Sequence, residues 1–282
     1  MLESTTMDTD SVGDRNPARK RSSGDDWDEH WSSYAASNAL NPAQEYRRKL
    51  ILQALDLARA RRPIKVLEVG SGQGDLSREI TERHPTLELV GVDISETGVK
   101  IAQAKVPAGR FFQQDLMQPM ALPTPYRAWA THAICSEVLE HLDDPLTALR
   151  HARTCLAPGA RLIVTVPAGP MSAFDCHIGH RRHFTPAGLR ELLTQSGLRV
   201  ASLYGAGFPF FNLYRLTVIT RGQRLVEDAT DGEMPVMARM AMRAFSWLFR
   251  MNTVRTLRGW QLIAVAVEPD GPPPVTVGNR SR

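Results

Sequence analysis

The chain has little with which to staple itself together or to anchor in a bilayer. Its three cysteines, Cys135, Cys155 and Cys176, are odd in number and contain no CxxC pair, which argues against a disulfide framework and for a reducing cytoplasm. No apolar run approaches the roughly 20 residues that cross a bilayer. The N-terminus carries Glu3, Asp8, Asp10 and Asp14 where a signal peptide needs an apolar stretch and a transit peptide avoids acids. A cytoplasmic protein, at most peripheral to a membrane, is therefore expected. The net charge of +4 is only mildly basic, and no long Lys/Arg face with interleaved aromatics stands in the central segments, so a nucleic-acid partner is disfavoured. One local absence points the other way: between Glu233 and Glu268 there is no acid, while Arg239, Arg243, Arg250, Arg255 and Arg258 all fall there.

What is present is a chain of 282 residues, 43% hydrophobic, long enough for one large α/β domain with additions. Residues 1–26 and 269–282 are polar or Pro-rich and read as disordered tails. Residues 27–62, with Trp27, Trp31 and Tyr34, read as a helical cap in which the two tryptophans are core residues. Residues 63–268 read as the main domain, with 207–258 a helical insertion before its last strand. Short β-branched runs alternate with amphipathic stretches: 64–69, 87–93, 110–114, 130–136, 161–167, 199–205 and 260–267. That alternation predicts a Rossmann-like, doubly wound, seven-stranded sheet with helices on both faces.

The segment "VLEVGSGQGDLS" ends an apolar run in Gly70, Gly72 and Gly74 and opens a helix near Asp75. A glycine loop after the first strand lets backbone N–H groups approach a nucleotide-like ligand. A dinucleotide fingerprint would need glycine where Asp75 stands, and a Walker loop would need Lys-Ser or Lys-Thr, so neither applies. Nineteen residues after Gly74, Asp93 closes the second strand, where a carboxylate can accept both hydrogen bonds of a ribose diol. Asp115, after the third strand, is placed for an adenine amino group. Glu68, inside the first strand, must find a polar partner if it is buried.

Together "VLEVGSGQG", "VGVDIS", "QQDL", "CSEVLEHLDDP" and "LAPGARLIVTVP" resemble the class I S-adenosylmethionine-dependent methyltransferases of bacterial small-molecule type. The resemblance implies strand order 3-2-1-4-5-7-6 with the last strand antiparallel. It implies S-adenosylmethionine as cofactor, held by Glu68, Gly70, Gly72, Gly74, Asp93, Ile94, Asp115 and Leu116. The helical cap and the insertion would then recognise the acceptor.

The segment "CSEVLEHLDDP" is expected to turn from strand into helix, with Glu137, Glu140 and His141 at i, i+3 and i+4 on one helical face. Three readings stay open. The face can be merely solvated. His141 can act as a general base, since imidazole titrates near neutral pH. Or the three residues can bind magnesium or manganese and lower the pKa of an acceptor hydroxyl. The E-x-x-E-H pattern is similar to that of ubiquinone-pathway O-methyltransferases and small-RNA 2′-O-methyltransferases, where it is associated with a metal and a further histidine. His180 in "DCHIGHRRHFTP" fits that fourth place, so Glu137, His141 and His180 are the catalytic candidates. Cys176 with His177, His180 and His183 fits none of the usual structural zinc spacings. Asp175 is expected to orient a histidine or a substrate group, and Arg181 and Arg182 to pair with acids or a substrate anion. The expected reaction is O-methylation of a small-molecule or lipid-like acceptor, with methylation of a nucleic-acid 2′-hydroxyl as the other enzymatic reading and cofactor binding without catalysis as the non-enzymatic one. Residues 234–258 read as a basic amphipathic helix suited to peripheral membrane contact, as a lid over a lipid-like acceptor, or as an ordinary helix packed on the sheet with its arginines in water.

Overall fold

The computed structural model describes residues 27–28, 41–60, 63–230 and 236–271, with side chains from 221 to 238 set aside. Trp31, Tyr34 and both expected tails, apart from residues 269–271, lie outside the described residues. Helix α1 (Pro42–Leu55) starts at Asn41, whose side chain accepts a hydrogen bond from the Ala43 N–H, with Pro42 at the first helical position. Strand β1 (Lys65–Val69), α2 (Asp75–Arg83), β2 (Glu88–Asp93), α3 (Glu96–Lys105) and β3 (Arg110–Gln113) form the first half. Then come β4 (Ala130–Ser136), α4 (Pro145–Arg153), β5 (Leu156–Pro167), α5 (Ala173–His177), α6 (Pro186–Gln195) and β6 (Arg199–Phe208). The chain ends in α7 (Phe210–Thr230), α8 (Val236–Leu248), β7 (Thr253–Thr256) and β8 (Gln261–Val267).

The strands lie in the order β3-β2-β1-β4-β5-β8-β6-β7. This is the expected order with one addition. The short strand β7, which the sequence reading places in a helical insertion, pairs antiparallel with β6 at the sheet edge. Its four residues, "TVRT", are too few for periodicity to reveal. Strand β8 runs antiparallel to both β5 and β6. Every parallel strand therefore ends, and β8 begins, at the same edge of the sheet.

Buried side chains pack on both faces. One layer includes Leu67, Val90, Leu149, Leu162 and Leu189. The other brings Tyr46, Leu50 and Ile51 of α1 against Ile134, Ile163, Phe211 and Phe249. Burying each such side chain contributes about 1.5–3 kcal/mol. Proline at the first helical position after a capping Asp144 or Thr185 starts α4 and α6.

Candidate active site

In an open α/β sheet, ligands lie across the carboxyl ends of the parallel strands. At the end of β1 the glycine loop has positive φ at Gly70, Gly72 and Gly74 (75°, 49° and 76°). A Cβ on Gly70 would stand 2.2 Å from Val138 Cγ2, and one on Gly74 would stand 2.9 Å from Ala102 Cβ. Both positions thus require glycine twice over, by dihedral angle and by the neighbour that closes against them.

Asp93 holds this loop. Its carboxylate accepts from the Gly72 N–H at 2.7 Å and from the Ser95 N–H at 2.9 Å. Burial raises its pKa, and these backbone N–H groups oppose the shift. Ile94, next along the chain, is 37% exposed at the lip. Asp115 turns its own loop, accepting from the Met117 N–H at 2.9 Å, and Leu116 beside it is buried. Glu68 finds its partner in Ser77 of α2, whose hydroxyl donates to it. Burial pushes the Glu68 carboxyl up to about 8, against that hydrogen bond. A residue missed from sequence completes this side: Asp28 accepts from Ser95 Oγ at 2.6 Å and from the Thr97 N–H at 2.9 Å, tying residues 27–28 to the start of α3. One acid among Asp25, Asp26, Asp28 and Glu29 gives no signal of such a long-range contact.

The segment after β4 departs from expectation. Glu137 has φ +55°, and only Leu139–His141 follow as a single 3-10 turn, so there is no α-helical face carrying Glu137, Glu140 and His141 together. The cause is legible in "DDP": Asp144 accepts from the N–H groups of Leu146 and Thr147, and Pro145 opens α4, which fixes the helix start beyond His141. Glu137 accordingly points elsewhere. Its Oε1 accepts from Gln261 Nε2 at 2.8 Å and Thr165 Oγ1 at 3.1 Å, and its Oε2 lies 3.5 Å from Arg47 Nε.

Glu140, His141 and His180 do converge, each with a ligand-type atom within 4.8 Å of the others. The His141 and His180 rings meet edge to face at 4.7 Å, and the Trp27 ring stands 4.8 Å from His141 on another side. Trp27 thus stands beside this cluster, where the sequence reading takes it as a core residue. Glu140 is fully buried, and neither carboxylate oxygen has a hydrogen-bond partner among the described residues. His180 Nε2 is 4.0 Å from Glu140 Oε1. Burial, reinforced by the nearby Glu137 charge, raises the Glu140 pKa well above the usual range.

His180 belongs to a second cluster with Asp175 and His183. Asp175 is fully buried in a capping box with Ser172 and takes both arms of Arg215 of α7 at 2.9 Å. Burial would raise its carboxyl, but the hydrogen bonds and charge of Arg215 prevail and hold it low. Burial favours the neutral form of both histidines: it pushes His180 down to about 3, aided by His141, and lowers His183. A chain of contacts then sets their tautomers. His183 Nδ1 is 3.0 Å from the Gly169 carbonyl, which can only accept, so Nδ1 carries the proton. His183 Nε2 is left as an acceptor 3.3 Å from His180 Nδ1, which must donate. The lone pair of His180 therefore sits on Nε2, facing Glu140. Arg215 and His183 were not singled out as site residues from sequence. Arg215 comes from a helix 40 residues away from Asp175, and His183 is marked only by its three-residue spacing from His180. Arg181 pairs with Asp143, and Arg182 donates to the Leu142 and Asp143 carbonyls at 3.0 Å, while Cys176 is exposed.

Comparison with known proteins bears on the fold and the family. Solved structures superpose on most of the chain: the [4+2]-cyclase SpnF (TM-score 0.58, 16% identity, 86% of this chain and 96% of that one) and a complex between the Haloferax volcanii Trm112 methyltransferase activator and the putative methyltransferase (TM-score 0.59, 18% identity, 86% and 98%). At such identities they show the fold alone. Among curated proteins, the demethylmenaquinone methyltransferase of Thermus thermophilus is 35% identical over 127 residues, which is 43% of this chain and 56% of that relative's length. The ubiquinone biosynthesis O-methyltransferase of Marinobacter nauticus is 23% identical over 233 residues, 74% of this chain and 92% of its own. The family described as "Methyltransferase domain" matches residues 43–203, more than half the chain. The protein therefore belongs to that family and is an S-adenosylmethionine-dependent methyltransferase of class I.

Proposed function

We propose that the enzyme methylates a hydroxyl of a small, apolar or lipid-like acceptor, at a divalent cation held by Glu140, His141 and His180. The observation that carries this reading is Glu140: two oxygens with no exposure and no hydrogen bond. A bare buried carboxylate is costly, and a protonated one would find His180 Nε2 at 4.0 Å, beyond hydrogen-bond reach. A cation answers both oxygens, and His180 offers it a lone pair already fixed on Nε2. Support for an oxygen acceptor comes from the relatives named ubiquinone biosynthesis O-methyltransferases, while the demethylmenaquinone methyltransferase supports a quinone-type small molecule without naming the atom methylated.

In the transfer, the acceptor oxygen attacks the sulfonium methyl in line, the C–S bond breaks with its electron pair going to sulfur to leave a thioether, and the hydroxyl proton passes to solvent water. A bound magnesium or manganese ion would lower the pKa of that hydroxyl. The chain's own residues do the positioning. His183 and the Gly169 carbonyl orient His180, while Asp175, clamped by Arg215, keeps its charge beside both histidines. Glu137 is no ligand in this reading; it joins Arg47, Thr165 and Gln261 as a polar wall. On the cofactor side, Gly70, Gly72 and Gly74 give the methionine end close backbone approach and Asp93 accepts from the ribose. Ile94, Asp115 and Leu116 border the adenine, and Glu68 sets the loop through Ser77.

A second reading has His141 as a metal-free general base, favoured by the Trp27 ring at its side. Turnover of phenolic quinone precursors with an isotope-labelled methyl donor separates the two. We expect EDTA to abolish transfer and magnesium or manganese to restore it. We also expect Glu140→Gln to lose activity on the order of 100-fold while its melting temperature holds or rises, since a neutral isostere replaces a carboxyl whose ionised form burial already disfavours. Full activity in EDTA, unchanged by added metal, would overturn the cation and leave the base.

A further inference from the structure

Helix α8 and the turn after it have two apolar sides. Phe245 and Phe249 face inward, ringed by Tyr214 and packed with Tyr46 and Phe211. At 100° per residue, Met240, Trp247 and Met251 fall on the opposite side. They are 60%, 59% and 48% exposed, and Leu257, just past β7, is 94% exposed. Nothing among the described residues covers this outward stripe, so packing of the described domain does not account for it. Beside the stripe, at the same helical spacing, run Arg239, Arg243 and Arg250, all exposed. No acid occurs from residue 234 to 267, and Glu45, which lines a groove with Arg250, is already paired with Lys49 at 2.6 Å.

The stripe adjoins the sheet edge where the candidate site opens. Strand β6 ends there and leads directly into α7, where Leu213 and Leu216 are exposed while Arg215 between them reaches inward to Asp175. Asn252, at the end of the α8 turn, accepts from the N–H groups of Phe210 and Phe211 and so fastens the stripe to the start of α7.

We infer that this face docks on an anionic lipid surface, with Met240, Trp247, Met251 and Leu257 entering the headgroup boundary and Arg239, Arg243 and Arg250 meeting lipid phosphates. The charge is complementary to anionic lipid, and the apolar stripe beside it favours a bilayer over a nucleic acid, whose phosphates would need the arginines alone. The inference deepens the lipid-like acceptor reading and rests on it only for its purpose: the bilayer would be where the acceptor is met.

The test is co-sedimentation of the full chain with phosphatidylglycerol/phosphatidylcholine vesicles and with pure phosphatidylcholine vesicles. Binding is expected only to the anionic vesicles. The triple variant Arg239→Gln, Arg243→Gln, Arg250→Gln should weaken it by about 10-fold or more. Trp247→Ser should weaken it less, and Trp247 fluorescence should shift to the blue on binding. Circular dichroism and S-adenosylmethionine affinity, unchanged in both variants, show that fold and cofactor site are intact and keep this result separate from the methyl-transfer reading. Three results would overturn the inference: no binding to anionic vesicles, vesicle binding indifferent to the triple variant, or tighter binding to duplex RNA or DNA than to vesicles. A concentration-dependent dimer in sedimentation velocity that Trp247→Ser dissolves, without vesicle binding, would assign the face to a second copy instead.

Discussion

The two halves of the sheet edge solve opposite problems. On the β1–β3 side, each candidate polar group has a partner inside the protein: Asp93 on Gly72 and Ser95, Glu68 on Ser77, Asp115 on Met117. On the β4–β5 side, Glu140 is buried with nothing on either oxygen, while Asp175 nearby is saturated by Ser172 and Arg215. The first side fixes its shape with its own hydrogen bonds, and among the described residues the second leaves the Glu140 carboxyl without one. Other buried side-chain atoms also lack partners among the described residues, Ser71 Oγ of the glycine loop included, but Glu140 is the carboxyl with both oxygens bare, and that marks where binding or chemistry is to be sought.

The comparison can be broken most forcefully at Arg215. Arg215→Ala leaves the Asp175 charge buried without its bidentate partner, and should cost about 3–5 kcal/mol of stability in denaturant unfolding. A loss under 1 kcal/mol would mean that Asp175 is not held as a charged group. Gly70→Ala attacks the satisfied side. A left-handed φ and a Cβ driven into Val138 should together cost roughly 2–3 kcal/mol, and S-adenosylmethionine affinity by calorimetry should fall with it. Retained affinity would show that the loop adapts.

The smallest effect sharpens the contrast through pH. Because the folded pKa of Glu68 is raised to about 8 from an ordinary 4.5, the folded state holds a proton that the unfolded chain releases. Its contribution is intact below about 4.5 and is lost as pH rises toward 8. Thermal melts across that window should show stability declining with pH. Glu68→Gln should flatten the slope, and an unchanged slope would place the titration elsewhere.

The satisfied side was largely readable in advance because its information is local. Glycine spacing, strand-ending Asp93 and the alternating apolar runs all sit within a few turns of what they determine. The other side is assembled from distant pieces. Glu140 and Asp175 are 35 residues apart, Arg215 lies 40 further, and Gln261 reaches Glu137 across 124. Pattern reading named Glu140, His141 and His180 but put Glu137 with them, since it assumed α-helical spacing where the chain makes a left-handed turn and a single 3-10 turn. Strand β7 escaped for a related reason: an edge strand of four residues is defined by its partner, not by its own sequence.

Strand β8 running against its neighbours has a consequence for how such a protein can vary. Ala206 and Gln261 are register partners, so the stretch between them, apart from the edge strand β7, leaves the sheet and returns to it beside its point of departure. That stretch, which supplies Arg215 to the histidines and the outward stripe of α8, hangs on the domain like a module with both fasteners side by side. Lengthening or exchanging it changes closure entropy only slowly, and leaves the pairing of β1 through β5 untouched. That segment can therefore be rewritten while the half that carries the glycine loop stays the same.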